Sequence, residues 1–539
     1  MAKTPPTGLE TDVLGAADRG AADVVRSVSF DRQHLRLTAV AFRDQSDVYN
    51  ELVQEQEYLL HPSERALELR GNLFVVEDLA AGTGRILLRE TALPHVRSEQ
   101  GAGDLRLEPH KGTGFTIQLL SAGMSETADA WHVLEYSGGR PGRTRVLHAW
   151  QRAQRPDTAS HRVPRFLTNT WGDRSKDLRI CAAFMAQEID AAARLGAEVV
   201  QIDLGWQLGV TKLSKDAARK GGVWEGYWRA NPEFWTPDPN KFPDGLEPLV
   251  ARAAAAGVEI GLWFGPDSHN EFENWRRDVD CLLDLFRRHG IRHFKLDGIM
   301  APTPTARDRL HQLLRALIEE SAGALVCDLD ITAQLRPGYF GAVPVGPLFV
   351  ENRYTDTHRY WPHQTLRNLW KLAAWIDPLR LRMELLNNAR NTERYPDDPL
   401  APEKYTPDTL FATVLCSNPL GWFEVSNLPE SYFATIPPLV AAWKEHRAAL
   451  FEGTILPVGG APDGFAWTGF VSIDQDSQCR YVLAFRELSP EQECRWRVPG
   501  LQPNGQVEIL GGAGTVQCEG DTLVVSVEQT LGFVFARLG

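Results

Sequence analysis

His293-Phe294-Lys295-Leu296-Asp297-Gly298 is the stretch on which the reading of this chain turns. A basic segment, Arg287-Arg288-His289, comes just before it, followed by a short apolar run. Lys295 and Asp297 are separated by one residue, so on a strand both point to the same side. A buried parallel strand has no ordinary use for two charges on one face. At the C-terminal mouth of a barrel strand, such residues read as catalytic. The alternative is a structural ion pair at a strand end.

Working outward, short apolar runs alternate with amphipathic segments on both sides of this stretch. The runs are Arg165–Trp171, Glu198–Trp206, Glu259–Pro266, His293–Ile299, Ala324–Asp330, Leu348–Asn352, Leu381–Leu386 and Leu420–Val425. Between them, Leu310, Leu313, Leu314, Leu317 and Ile318 follow helical spacing, as do Trp275, Val279, Leu282, Leu283 and Phe286. Gly196, Gly257, Gly290 and Gly323 stand where helices should stop. Eight such units over about 280 residues predict a (β/α)₈ barrel. The segment Leu208 to Lys241 then forms a long loop after strand two, on the catalytic face.

The flanks read differently. Leu35–Phe42, Asn72–Leu79, Arg85–Leu88, Phe115–Leu120, Trp131–Tyr136 and Arg145–Trp150 are β-like runs with polar breaks, which predicts an antiparallel sandwich. After Leu450 a second β pattern appears: Phe465–Ile473, Arg480–Arg486, Val507–Leu510, Leu523–Val527 and Phe533–Ala536. The expected fold class is α/β, a (β/α)₈ barrel between two β-sandwiches. The expected division is a loose leader over 1–25, an N-terminal β-sandwich over 26–160, the barrel over 161–446 and a smaller C-terminal β-sandwich over 447–539.

Composition narrows the function. Among 539 residues, the net charge of -13 argues against nucleic acid, which needs a basic face. No run of about 18 apolar residues is present to span a membrane. The seven Cys are widely spaced, with no CxxC, so neither a disulfide framework nor a zinc site is expected. Without an apolar signal core, the expected compartment is the cytoplasm. No metal-ligand set is visible, and no GxGxxG or P-loop follows a strand. The expectation is therefore chemistry without metal or cofactor.

Each predicted strand end carries polar groups or indoles. They include Trp171, Asp203, Trp206, Trp263, Asp267, Lys295, Asp297, Asp328, Asp330, Glu351 and Asp356, with Arg336 soon after strand five. Carboxylates and amides converging with indoles suit a polyhydroxylated ligand, because indole faces cover the apolar face of a sugar. Cleaving a glycosidic bond needs two carboxyl groups across the anomeric carbon, about 5–5.5 Å apart in a retaining enzyme. Asp297 suits the nucleophile. Asp328, Asp330, Glu351 and Asp356 are the candidates for the acid/base.

Five motifs in order resemble glycoside hydrolase family 36, the melibiase-type α-galactosidases. Thr170-Trp171-Gly172 resembles the family's opening Trp-Gly, and Ile202-Asp203-Leu204-Gly205-Trp206 its Ile-Asp-Asp-Gly-Trp. Lys241-Phe242-Pro243-Asp244-Gly245-Leu246 resembles Lys-Phe-Pro-x-Gly-Leu. Gly261-Leu262-Trp263-Phe264-Gly265-Pro266-Asp267 resembles Gly-Leu-Trp-x-x-Pro-Glu. Phe294-Lys295-Leu296-Asp297 resembles the Lys-Trp-Asp that carries the family's nucleophile. The resemblance implies a retaining α-glycoside hydrolase acting on an oligosaccharide or glycoside. Asp203, Trp263, Lys295 and Arg336 would line the sugar pocket. A raffinose-synthase-type transglycosylase and a non-catalytic sugar-binding barrel are the alternatives.

The departures bear on specificity and on the acid. The family's second Asp in strand two, which binds the sugar's 4- and 6-hydroxyls, is Leu204 here. Its Cys-x-x-Gly-Gly-Gly-Arg segment becomes Cys327 to Arg336, longer and without the glycines. Its Ser-Asp-Asn-Thr-Asp resembles Asn352-Arg353-Tyr354-Thr355-Asp356, which puts Arg353 where the acid should be. The expected acid/base is therefore Glu351, with Asp356 in reserve. Weak recognition of simple α-galactosides is expected unless Asp328 or Asp330 replaces the missing carboxylate.

Overall fold

A computed structural model describes residues 24–31, 34–43, 51–60, 65–94, 97, 103–110, 113–121, 123–330, 338–502 and 505–539. Almost all of the predicted leader, and Arg336, lie outside the described residues.

Eight parallel strands close into a barrel. They are Leu167–Asn169, Val199–Ile202, Glu259–Phe264, His293–Leu296, Val326–Asp330, Leu348–Phe349, Leu381–Leu385 and Asn418–Trp422. Strand eight closes on strand one with Leu167 opposite Leu420 and Asn169 opposite Trp422. Nearly every strand residue is buried, as expected where side chains fill the barrel on one face and helices cover the other. Seven strands are followed by a helix: Ala182–Leu195, Glu247–Ala255, Trp275–His289, Pro304–Glu320, Pro362–Leu372, Pro407–Val414 and Glu430–Glu452. After strand five, the described residues carry only a short 3₁₀ turn, Val343–Val345.

The helix ends follow local chemistry. Gly196, Gly257, Gly290 and Gly323 all have positive φ, which lets the chain turn off each helix without a Cβ clash. Thr303 accepts from the Ala306 amide, with Pro304 at the first helical position.

The flanking sheets are antiparallel. In the N-terminal region a five-stranded sheet faces a four-stranded one across a shared apolar cluster that includes Leu37, Phe74, Ile117 and Trp131. The C-terminal region has five- and three-stranded sheets. The two sandwiches and the barrel are thus the expected architecture. One predicted strand is corrected. Arg145–Trp150 lies inside the helix Gly139–Ala153, whose buried residues Arg143, Thr144, Leu147, His148 and Gln151 repeat at helical spacing. The short window Val146, Leu147, Trp150 had hidden that longer period.

This helix joins the three regions. Arg152 donates to both Asp377 oxygens at 2.7 and 3.1 Å, and to the Glu452 and Gly453 carbonyls at 2.8 and 2.9 Å. Asp377 precedes barrel strand seven, and Glu452 ends the helix that leads into the C-terminal sandwich. Burial alone would raise the Asp377 carboxyl, but Arg152 overrides it and holds it at about 2. A carboxyl held below its ordinary value contributes stability above that value, and the contribution fades as the pH falls toward 2. Replacing Arg152 by Ala leaves a buried charge unpaired. The expected loss is about 3–5 kcal/mol near neutral pH, narrowing in acid, read by calorimetry of Arg152→Ala beside wild type.

Candidate active site

Strand four delivers the Lys295 side chain into the barrel mouth, where it is 4% exposed. Its ammonium lies 3.0 Å from Asp203 at the end of strand two, 3.5 Å from Asp330 at the end of strand five and 3.9 Å from Asp297. The rings of Trp422 and Phe349 lie 5.0 and 5.6 Å from the same nitrogen. Burial disfavours the ammonium, yet Asp203, Asp330 and Asp297 outweigh that and hold its pKa above the ordinary value. One cation thus organises three carboxylates from three strands.

Asp203 and Asp297 are each held by further donors. The Asn169 amide gives Asp203 a hydrogen bond of 2.9 Å, and the Leu204 N–H gives it one of 2.8 Å. Trp263 Nε1 donates to Asp297 at 3.1 Å, and the Gly298 N–H donates to its other oxygen at 2.6 Å. Gly298 has φ 66, and a Cβ there would meet the Trp224 ring.

These groups face a cavity of about 430 Å³, within the ~300–1,000 Å³ of small-molecule pockets. Asp203, Leu204, Lys295, Asp297 and Asp330 line it, with Trp171 and Trp224 as aromatic surfaces. From the segment after strand six come Asn352, Tyr354, Thr357 and Arg359. Arg174, Lys176 and Leu213 complete the lining. Trp171 donates to the Tyr354 hydroxyl at 3.1 Å, and that hydroxyl donates to Asn352.

Of the residues singled out from sequence, Trp171, Asp203, Lys295, Asp297 and Asp330 come together at this cavity. Trp263 reaches it by holding Asp297. Trp206, Asp267, Asp328, Glu351 and Asp356 are not among the residues that line it. Trp206 is fully buried behind Trp263, whose carbonyl accepts its indole N–H at 2.8 Å. Asp328 sits deeper in the barrel, bound to Arg382 at 2.8 Å. Asp267 anchors the loop after strand two, accepting the Gly226 N–H at 2.6 Å, two residues from Trp224. Its own N–H donates to Asp278, whose carboxyl burial pushes up to about 8.

The expected acid/base is not at the cavity. Glu351 is 0% exposed and accepts from Arg353 at 3.2 Å, Thr365 at 2.7 Å and Asn368 at 2.6 Å. Asn368 in turn accepts the Leu52 N–H of the N-terminal sandwich at 3.2 Å. Glu351 therefore ties the strand-six segment to a helix that bears on the sandwich. Asp356 pairs with Arg174 at 3.4 Å outside the cavity lining. Arg353, aligned with the family's acid, is buried and donates its N–H to Glu384 at 2.7 Å.

The sequence reading assigned no individual site role to Asn169, Trp224, Asn352, Tyr354, Arg174 or Arg359. The pattern at strand one, Asn169-Thr170-Trp171, held a signal for the first. The rest come from loops, whose course no periodicity encodes.

Among the described residues, no group of three or more His, Cys, Asp or Glu is placed to hold a metal ion. No helix among them is long and apolar enough to cross a membrane. All seven cysteines are free.

The fold and site define a (β/α)₈ barrel with a carboxylate-floored cavity. Solved structures share that fold. A GH36 α-galactosidase, AgaA of Geobacillus stearothermophilus, is 14% identical, with 95% of this chain and 76% of that one aligned at a TM-score of 0.64. A variant of AgaA in complex with raffinose aligns over the same shares with a TM-score of 0.66. An α-galactosidase from Lactobacillus brevis is 12% identical over 96% of this chain and 75% of that one, with a TM-score of 0.67. This chain thus has the fold of the GH36 α-galactosidases. In sequence, an Escherichia coli α-galactosidase is 29% identical over 120 residues, 22% of this chain and 13% of that protein. No family model matches.

The relocation of Glu351 has a measurable consequence. Glu351→Gln puts an amide donor among three donors, so it should cost about 1–3 kcal/mol of stability. Turnover of the folded variant should keep the wild-type dependence on leaving group, measured across aryl glycosides of graded acidity. A selective loss on poor leaving groups would return Glu351 to the chemistry.

Proposed function

We propose that this chain is a retaining α-glycoside hydrolase of the α-galactosidase kind, with Asp297 as its nucleophile. The observation that carries the reading is the cluster on Lys295, which sets Asp203, Asp297 and Asp330 around one ammonium at the cavity floor. A sugar offers hydroxyls to Asp203 and Asp330 and accepts from Lys295, while Trp171 and Trp224 provide apolar faces. Asp297 then attacks the anomeric carbon, and a glycosyl ester forms as the leaving oxygen departs. Trp263 and Gly298 hold the attacking carboxylate in place. Lys295 supplies the positive counterpart that an anionic nucleophile needs. Water, or an acceptor hydroxyl in a transglycosylase, completes the cycle at the same carbon.

The sugar's identity is constrained by Leu204, which lines the cavity where the resembling family has a carboxylate. An apolar side chain cannot accept two hydroxyl bonds, so discrimination of the axial from the equatorial 4-hydroxyl should be weak. Leu204→Asp should raise the ratio of α-galactoside to α-glucoside turnover by about tenfold or more.

The test of the reading is a panel of nitrophenyl α-glycosides with the first-formed anomer followed by NMR. The expected outcome is release of the α-anomer, with Asp297→Ala slower by roughly 10³-fold or more. Release of the β-anomer would rule out the double displacement. Saccharide binding by calorimetry without turnover would favour the sugar-binding barrel.

A further inference from the structure

The cavity is electrostatically divided. Its carboxylates, Asp203, Asp297 and Asp330, gather on Lys295 at the floor. Its other cationic lining residues are Arg174, Lys176 and Arg359, all exposed at the rim. Arg174 lies over the Tyr354 ring at 4.7 Å and also meets Asp356 at 3.4 Å. Arg174 and Lys176 have φ of 56 and 55, and His358, beside Arg359, has φ 57. Non-glycine residues rarely adopt this conformation, and where they do the strain tends to mark a functional segment.

The strand-six segment adds a second constraint. Its described cavity-lining residues are Asn352, Tyr354, Thr357 and Arg359, none of them a carboxylic acid. Residues 331–337, outside the described ones, contain no Asp or Glu either. A sugar alkoxide leaving from this side needs a proton that a carboxylic acid ordinarily supplies. A phosphoryl group does not, because it departs as a stable anion, and it is the kind of group that arginines bind.

We propose that the leaving-group side of the cavity takes a phosphate, so that the favoured donor is an α-glycosyl phosphate held by Arg174, Lys176 and Arg359. This rests on Asp297 being the nucleophile. In the first step an Asp297 oxygen forms a bond to the anomeric carbon. The bond from that carbon to the phosphate oxygen breaks, and its electron pair leaves with the phosphate. A monoanionic glycosyl phosphate and the Asp297 carboxylate become a neutral glycosyl ester and hydrogen phosphate dianion. In the second step water attacks the same carbon and the Asp297 carboxylate is regenerated. The water's proton passes to the hydrogen phosphate, giving dihydrogen phosphate, so no oxidant, reductant or enzyme acid is consumed.

The experiment compares α-galactosyl, α-glucosyl and α-mannosyl 1-phosphates, nitrophenyl α-glycosides and raffinose on the full chain. The expected result is inorganic phosphate release from at least one glycosyl phosphate, with kcat/KM at least about tenfold above raffinose. Arg359→Ala and, separately, Lys176→Ala should each raise KM for that donor about tenfold, as for loss of one charge-assisted hydrogen bond. KM for the neutral nitrophenyl glycoside should rise by a clearly smaller factor in both variants. Retaining turnover of nitrophenyl glycosides with no phosphate release would overturn this inference and leave the glycosidase reading standing. Phosphate release unaffected by either substitution would overturn the role of the rim. Turnover of no donor at all would overturn the glycosidase reading, and this inference with it.

Discussion

The site depends on one buried ammonium. Three carboxylates from three strands could not share a barrel mouth without a cation between them, because their mutual repulsion is strong where water is excluded. Lys295 answers that constraint and is itself held charged by it. The flexible Lys stem places a compact point charge among three carboxylate oxygens. All three carboxylates line the cavity beside the ammonium. The same arrangement therefore explains both why the floor is stable and why it suits a hydroxyl-rich ligand.

The rest of the molecule fixes this cluster from outside. Asn169 and the Leu204 N–H orient Asp203, while Trp263 and Gly298 orient Asp297. Behind them, Trp206 braces the Trp263 backbone, and the Asp267–Asp278 contact holds the loop that brings Trp224 over the cavity. At greater distance, Glu351 and Arg152 connect barrel elements to the flanking sandwiches. They serve the junctions on which a precise cavity relies.

Much of this was legible in the sequence. Alternation of apolar runs with helical spacing identified the barrel, and the one-residue gap between Lys295 and Asp297 placed both at its mouth. What sequence could not separate was depth. Asp328 and Asp330 share a face, but Asp328 lies a layer lower and spends its charge on Arg382. Glu351 lies away from the cavity lining for a different reason. Strand six pairs only over Leu348–Phe349, so the two-residue alternation that puts Phe349 beside Lys295 no longer holds at Glu351. The chain turns there, and the carboxylate reaches Thr365 and Asn368 on the following helix. The cationic rim was invisible for the same reason: loop residues follow no period.

The central claim is that a sugar seated on the Lys295 cluster is attacked by Asp297. The most direct measurement is a crystal structure of the chain after reaction with a 2-deoxy-2-fluoro-α-glycosyl fluoride, which slows breakdown of a glycosyl ester. The account predicts a covalent bond from an Asp297 oxygen to the anomeric carbon, with sugar hydroxyls against Asp203 and Lys295. A sugar bonded to any other carboxylate, or seated away from Lys295, would contradict it.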